Sequence, residues 1–183
     1  LHQLYVHGAD SSNSRTVTKA NLTGRRAVLE RVRKEKIQLM HMQPETSFRE
    51  SYRIVGETMI TVDDYQSGRL FDDAVCNAFY PVDLHTRTGV RPQPLSPDTV
   101  PTIPLRALIP KDSRNLMVAG RCVSSDRLAN SALRVQAPCM AMGQAAGVTA
   151  ALAANTNTTP LKVPLNDIRE ALRKHEAILP VAS

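Results

Sequence analysis

Tryptophan is absent from this sequence of 183 residues, and aromatic side chains make up only 4% of it. Any core has to be assembled from Leu, Val, Ile and Ala, which a hydrophobic fraction of 42% is enough to supply. No apolar run approaches the ~20 residues needed to cross a bilayer, so no membrane association is expected. The first dozen residues lack a basic end followed by an apolar block, so no export signal is expected there. The chain opens on Leu1 rather than Met, and the expectation is that the true start lies upstream. Cysteine is scarce: Cys76, Cys122 and Cys139 form an odd set with no CxxC spacing. That argues against a paired disulfide framework and a zinc site, and for a reducing, cytoplasmic compartment. The five histidines are scattered, none at helical spacing from another, so no metal is expected. Acidic residues number 17 against 23 basic ones, giving +6. That surplus admits an anionic partner without selecting one.

What is present has the profile of a globular chain of one domain or one and a half, able to bury roughly 70% of its unfolded surface. After the polar stretch "ADSSNSRTVT", the apolar residues Leu22, Val28, Leu29, Val32 and Leu39 make the stripe of an amphipathic helix. It is predicted to start near Thr18 and to end before Pro44, with Glu30–Lys34 and Arg31–Glu35 pairs on its wet side. The same segment, 15–36, is the most basic of the chain, but acids interleave and no aromatic accompanies it for base stacking. A solvated helix face is the simpler reading; a nucleic-acid-binding or non-enzymatic interaction module is the rival one.

From Phe48 onward "YRIVGETMITVDDY" suggests strands broken near Gly56, and the stretch to His85 reads as a small antiparallel or mixed subdomain. Five prolines then mark 86–104 as an irregular connection. Residues 105–109 and 116–119 read as strands, the second without polar alternation and hence buried on both faces. The charge-free "PCMAMGQAAGVTAALAAN" reads as a buried helix with Pro138 in its first turn. Gly143 and Gly147, one turn apart, are expected to admit a neighbouring strand closely. A last amphipathic helix turns Leu165, Ile168, Leu172 and Ile178 inward, with Asn166 or Asp167 at its start.

In "NLMVAGRC", 115–122, the apolar run stops at Gly120 with Arg121 behind it. A strand end followed by a charge-free helix is how open α/β sheets build ligand crevices. Gly120 would leave bare backbone there, and the helix N–H groups from Gln136 onward would favour an anionic or electron-rich group. Equally, Gly120 merely turns the chain.

"RESYRIVGE", "IPLRALIPK", "NLMVAGRCVSS" and "LRVQAPCMAMGQAAG", in that order, resemble the C-terminal half of a family of FAD-dependent oxidoreductases within the glutathione-reductase-like flavoproteins. The resemblance runs from about Tyr5 to the last helix. It implies an α/β fold: a partial Rossmann-like FAD-binding domain, its closing strand and helix in 98–154, with part of a mixed α+β substrate-side subdomain in 1–97 and a C-terminal helix and tail in 155–183. It also implies that Gly120, Arg121 and, by position, Cys122 lie by the ribityl and pyrophosphate region of FAD, and that Leu133, Arg134, Val135 and Gln136 line the flavin ring. As thiols, Cys122 and Cys139 read as small core residues; Cys139 near a helix start would have a lowered pKa if exposed.

Hydride transfer from an alcohol or amine carbon needs a proton acceptor near neutral pH, and His85 in "YPVDLH" is the candidate, set against an ordinary hydrogen-bonded surface histidine. Arg134 is the second candidate catalytic residue, favouring charge on a reduced flavin, or else a salt-bridge partner. Arg127, Asn130 and Ser131 stand where the family often has histidines and a glycine. No GxGxxG occurs among the eight glycines, so the adenine-binding half of a dinucleotide site is missing. The partners implied are a small-molecule substrate and an N-terminal FAD-binding half or partner subunit, with no nucleic acid and no membrane.

Overall fold

In the computed structural model, which describes residues 4–86 and 89–180, the chain forms two compact units, Leu1–Tyr52 and Arg53–Ser183. The first is built on helix α1, Ser14–Glu35. Its start precedes the expected Thr18 because Asn13 caps it, the side-chain oxygen accepting from the Arg15 and Thr16 amides at 3.0 and 3.3 Å. It stops well short of Pro44, where Lys36 turns left-handed (φ 50°) and its N–H returns to the Val32 carbonyl. Val28 and Val32 lie on the sheltered side with buried Ala20, but Leu22 and Leu29 face outward. Flanking chain is tied to the helix by Arg25 donating to the Pro44 carbonyl and the Thr46 amide to Asn21. Arg31 pairs with Glu35 at 2.9 Å; Glu30 and Lys34 form no ion pair among the described residues.

In the second unit the order is α2 (Val62–Gln66), β1 (Ala74–Asn77), β2 (His85–Thr86), β3 (Gly89–Val90), β4 (Thr102–Pro104), α3 (Arg127–Leu133), α4 (Gln136–Asn155) and α5 (Leu165–Lys174). β1 and β4 pair antiparallel across a bulge between Ala74 and Cys76, and β2 and β3 form a hairpin. Val75 and Cys76 of β1 and Ile103 of β4 join Ile60, Leu108, Leu133, Met142, Ile168 and Leu172 in one core. Mixed helix and strand is thus the observed class, and both sheets among the described residues are antiparallel pairs.

Several predicted strands are replaced. Residues 52–62 make isolated bridges, Gly56 with Pro110 and Ile60 with Ser125. Residues 105–109 wind mostly into a 3-10 turn, Leu105–Leu108. Residues 116–119 run extended but bond to the rest through a Val118 amide to the Leu108 carbonyl, with Leu116 55% exposed rather than buried. A strand needs a neighbour to satisfy its ladder, and these segments find single contacts instead.

The helix α2 has a local cause: Thr61 and Asp64 form a reciprocal capping box. Burial alone would raise the Asp64 carboxyl, but the Arg69 guanidinium at 2.8 Å and the Thr61 hydroxyl and amide outweigh it and hold the group below its ordinary 3.8. A depressed carboxylate stabilises the fold above its unfolded pKa, and that contribution disappears as pH falls through the lower folded value. Replacement of Asp64 by Asn is therefore expected to flatten the loss of thermal stability below about pH 4, measured as Tm against pH; an unchanged acid limb would contradict this.

Helix α4 is not the buried helix expected. Pro138, Met142, Ala145, Thr149 and Ala153 form its buried stripe, while Met140, Gly143, Gly147, Ala150 and Ala154 are exposed, and nothing lies within 4 Å of a Cβ built on either glycine. Its 20 residues are also long and apolar enough, by length and composition, to cross a membrane, which the apolar-run count missed because Gln, Gly and Thr interrupt the run. α5 buries Ile168 and Leu172 with Leu165 against the core as expected, but starts directly after Pro164 without a side-chain cap, and Ile178 beyond it is 85% exposed.

Candidate functional site

The extended segment ends at Ala119 (φ −142°, ψ 157°), and Gly120 turns it at φ +82° into a short 3-10 turn, Gly120–Cys122. Only glycine adopts that conformation freely. A methyl group on Gly120 would sit 3.6 Å from the Cys139 sulfur and 3.9 Å from its Cβ. The bare backbone of the strand end therefore faces the first turn of α4, bringing together the two features that the sequence places side by side. Buried Asn130 fixes the arrangement, its side-chain amide donating to the Arg121 carbonyl at 3.1 Å and to the Ser125 hydroxyl at 3.2 Å.

The start of α4 has no side-chain cap: Val135 is extended at the N-cap, Gln136 and Ala137 are exposed, and the Cys139 amide closes onto the Val135 carbonyl at 3.1 Å. Pro138 has no N–H to offer. The leading amides of a 20-residue helix thus open outward beside Gly120, with the positive end of the helix dipole behind them. Arg121 is exposed at this place; Cys122 is half-buried, its sulfur 3.5 Å from the Ala119 carbonyl. Burial pushes the Cys139 thiol up, against the opposing Arg121 charge and with the Cys122 thiol adding to it. The lowered pKa expected of an exposed thiol at a helix start does not arise, because Cys139 is half-buried. Val135 is half-buried and Gln136 exposed at the opening, whereas Leu133 has no exposed surface and belongs to the core.

His85 does not face solvent. Its Nε2 lies 3.2 Å from Asp83 Oδ2, with the two side chains 17% and 13% exposed. The other carboxylate oxygen, Asp83 Oδ1, is buried with no hydrogen-bond partner among the described residues. The Asp83 backbone is held at both ends, its N–H donating to Ser131 Oγ (3.0 Å) and its carbonyl accepting from Arg134 Nη2 (3.2 Å). So Arg134 reaches toward the His85 segment. The region in which the sequence marked Arg127, Asn130 and Ser131 is helix α3, from which Asn130 holds the Gly120–Cys122 turn and Ser131 the base of the hairpin. Asp83 and the structural part of Asn130 were missed by sequence reasoning; a carboxylate two residues from a histidine on one strand face was the available signal.

A family model for FAD dependent oxidoreductases matches residues 6–172. The chain belongs to the FAD-dependent oxidoreductase family, and its cofactor by that membership is FAD. No match was found among curated proteins or solved structures. Two features compatible with an anionic or electron-rich group stand together here: the side-chain-free backbone of Gly120, in ordinary packing distance of Cys139, and the first turn of α4, which has neither a side-chain cap nor an acidic residue. The rival nucleic-acid reading of the basic helix gains no support.

Proposed function

We propose that this chain is the C-terminal portion of a flavoprotein of the glutathione-reductase type, forming the flavin-ring end of an oxidoreductase site that takes a hydride from an organic substrate. The observation that carries the proposal is the apposition of Gly120 with the first turn of α4. FAD, when bound, supplies the two-electron acceptor. Bare backbone at Gly120, with Arg121 beside it, would hold the ribityl chain, and the Gln136 and Ala137 amides would favour negative charge on the ring. Asp83 Oδ2 holds His85 Nε2, so Nδ1, buried in this structure, is the nitrogen through which His85 would take the substrate proton; Arg134 positions that pair through the Asp83 carbonyl.

A nucleotide-binding half or partner subunit completes the Rossmann-like domain, of which 98–154 is the closing part. Residues 116–119 lack a sheet partner among the described residues, and the exposed Met140, Gly143, Gly147, Ala150 and Ala154 face of α4 is uncharged and small enough for close packing. Three free cysteines agree with a cytoplasmic setting.

With the adenine-binding turn missing, recognition by this chain rests on the ring. Riboflavin and FAD are expected to show similar fluorescence quenching on titration, and ADP not to compete. Gly120→Ala should weaken quenching at least tenfold, since the methyl has ordinary room against Cys139 but occupies the cradle; the left-handed backbone adds about 1–2 kcal/mol of destabilisation. Equal quenching by the variant, or competition by ADP, would overturn the reading.

A further inference from the structure

The β2–β3 hairpin has a second face that the flavin reading does not use. Val82 and Gln93 bridge antiparallel through both backbone bonds (3.0 and 2.9 Å), and Thr86 stands opposite Gly89. Continuing that register sets Leu84 opposite Arg91. Because side chains alternate along a strand, Val82, Leu84, Thr86, Arg91 and Gln93 share one face while Asp83 and His85 share the other. Leu128 of α3 closes the first face into an open groove of about 300 Å³, at the small end of the range for organic ligands.

The chemistry of this groove is lopsided. Val82, Leu84 and Leu128 give it an apolar floor. Arg91 and Gln93, two residues apart on one strand, put hydrogen-bond donors side by side along its edge. Arg91 meets no carboxylate among the described residues. The Gln93 side-chain oxygen already accepts from Gln66 at 3.2 Å, which leaves its amide N–H donors unused by that bond. No acidic side chain lines it among the described residues. A guanidinium next to an amide matches a planar carboxylate, and the floor beside them matches a short hydrocarbon body.

We propose that this groove is a binding site for small apolar monocarboxylic acids, the carboxylate on Arg91 and Gln93 and the hydrocarbon over Val82, Leu84 and Leu128. It lies across the strand from Asp83 and His85 and rests on no part of the flavin reading, so it is testable without FAD. The experiment is calorimetric titration of the whole chain with hexanoate, benzoate, hexanol and inorganic phosphate. Hexanoate and benzoate should bind saturably at one site, with hexanol and phosphate each at least tenfold weaker. Arg91→Gln should weaken hexanoate at least tenfold, as loss of a charged hydrogen-bond pair implies, and Leu128→Glu should abolish it by setting a like charge over the floor. Both positions are exposed, and unchanged circular dichroism and Tm will show the fold intact. Equal affinity for hexanol shows a greasy surface only, equal affinity for phosphate shows a bare anion site, and binding unaffected by Arg91→Gln places the acid elsewhere; each of these, like no binding at millimolar hexanoate, overturns the proposal.

Discussion

Leu133→Ala is expected to lower the stability of the Arg53–Ser183 unit by about 2–5 kcal/mol, read as a shift of the urea midpoint at unchanged slope. Leu133 has no exposed surface and packs in the core with Ala129, Ala132 and Met142. Its carbonyl lies 3.7 Å from the Cys139 sulfur, at the joint where α3 hands over to α4. Truncation opens a cavity at that joint, which rigid neighbours on both helices cannot easily fill. The resemblance assigns Leu133 to the lining of the flavin ring, a role that would leave stability almost untouched. A cost below about 1 kcal/mol would return it to that lining.

Gly56→Ala is the second large effect, at about 1–3 kcal/mol. An added Cβ would stand 2.7 Å from Ser124 Cβ and 3.1 Å from the Arg106 carbonyl, and Ser124 Oγ is already fixed as acceptor of the Gly56 amide at 3.0 Å. Backbone on one side and a buried serine on the other leave little room to yield, so chain 54–60 must separate from the Cys122–Ser125 region that it braces through Ile54 and Ile60. Gly143→Ala supplies the contrast: with open space around it inside α4, alanine should stabilise by about 0.5–1 kcal/mol. If both substitutions behave alike in thermal denaturation, the packing described at Gly56 is wrong.

Helices were legible in the sequence where their cause is local. The spacing of Ile168 and Leu172 defines α5, and the uncharged run from Gln136 to Asn155 defines α4. The Thr61–Asp64 capping box was equally local, though it was read as part of a strand. The strands at 105–109 and 116–119 were not legible because apolar content alone does not provide pairing partners; Leu105 and Leu108 reach the same core from a 3-10 turn. Burial of α4 was overread for a related reason: absence of charge shows what a helix tolerates, and its stripe of contact is set by neighbours. At the site, Gly120 announced itself through its place after an apolar run, and its positive φ is the physical reason for that choice. Asp83 and Asn130 act through distant partners, Ser131 in one case and Arg121 in the other, and long-range contacts of that kind leave no local periodicity to read.

The central claim is that the turn at Gly120 and the open start of α4 form one receptor for a flavin ring. Amide chemical-shift mapping of the isotope-labelled chain during riboflavin titration tests it most directly. The account predicts saturable shifts concentrated at Gly120, Arg121, Gln136, Ala137 and Cys139, with Leu133 and the α5 core little changed. Shifts at one of the two segments without the other, or confined to residues remote from both, would contradict it.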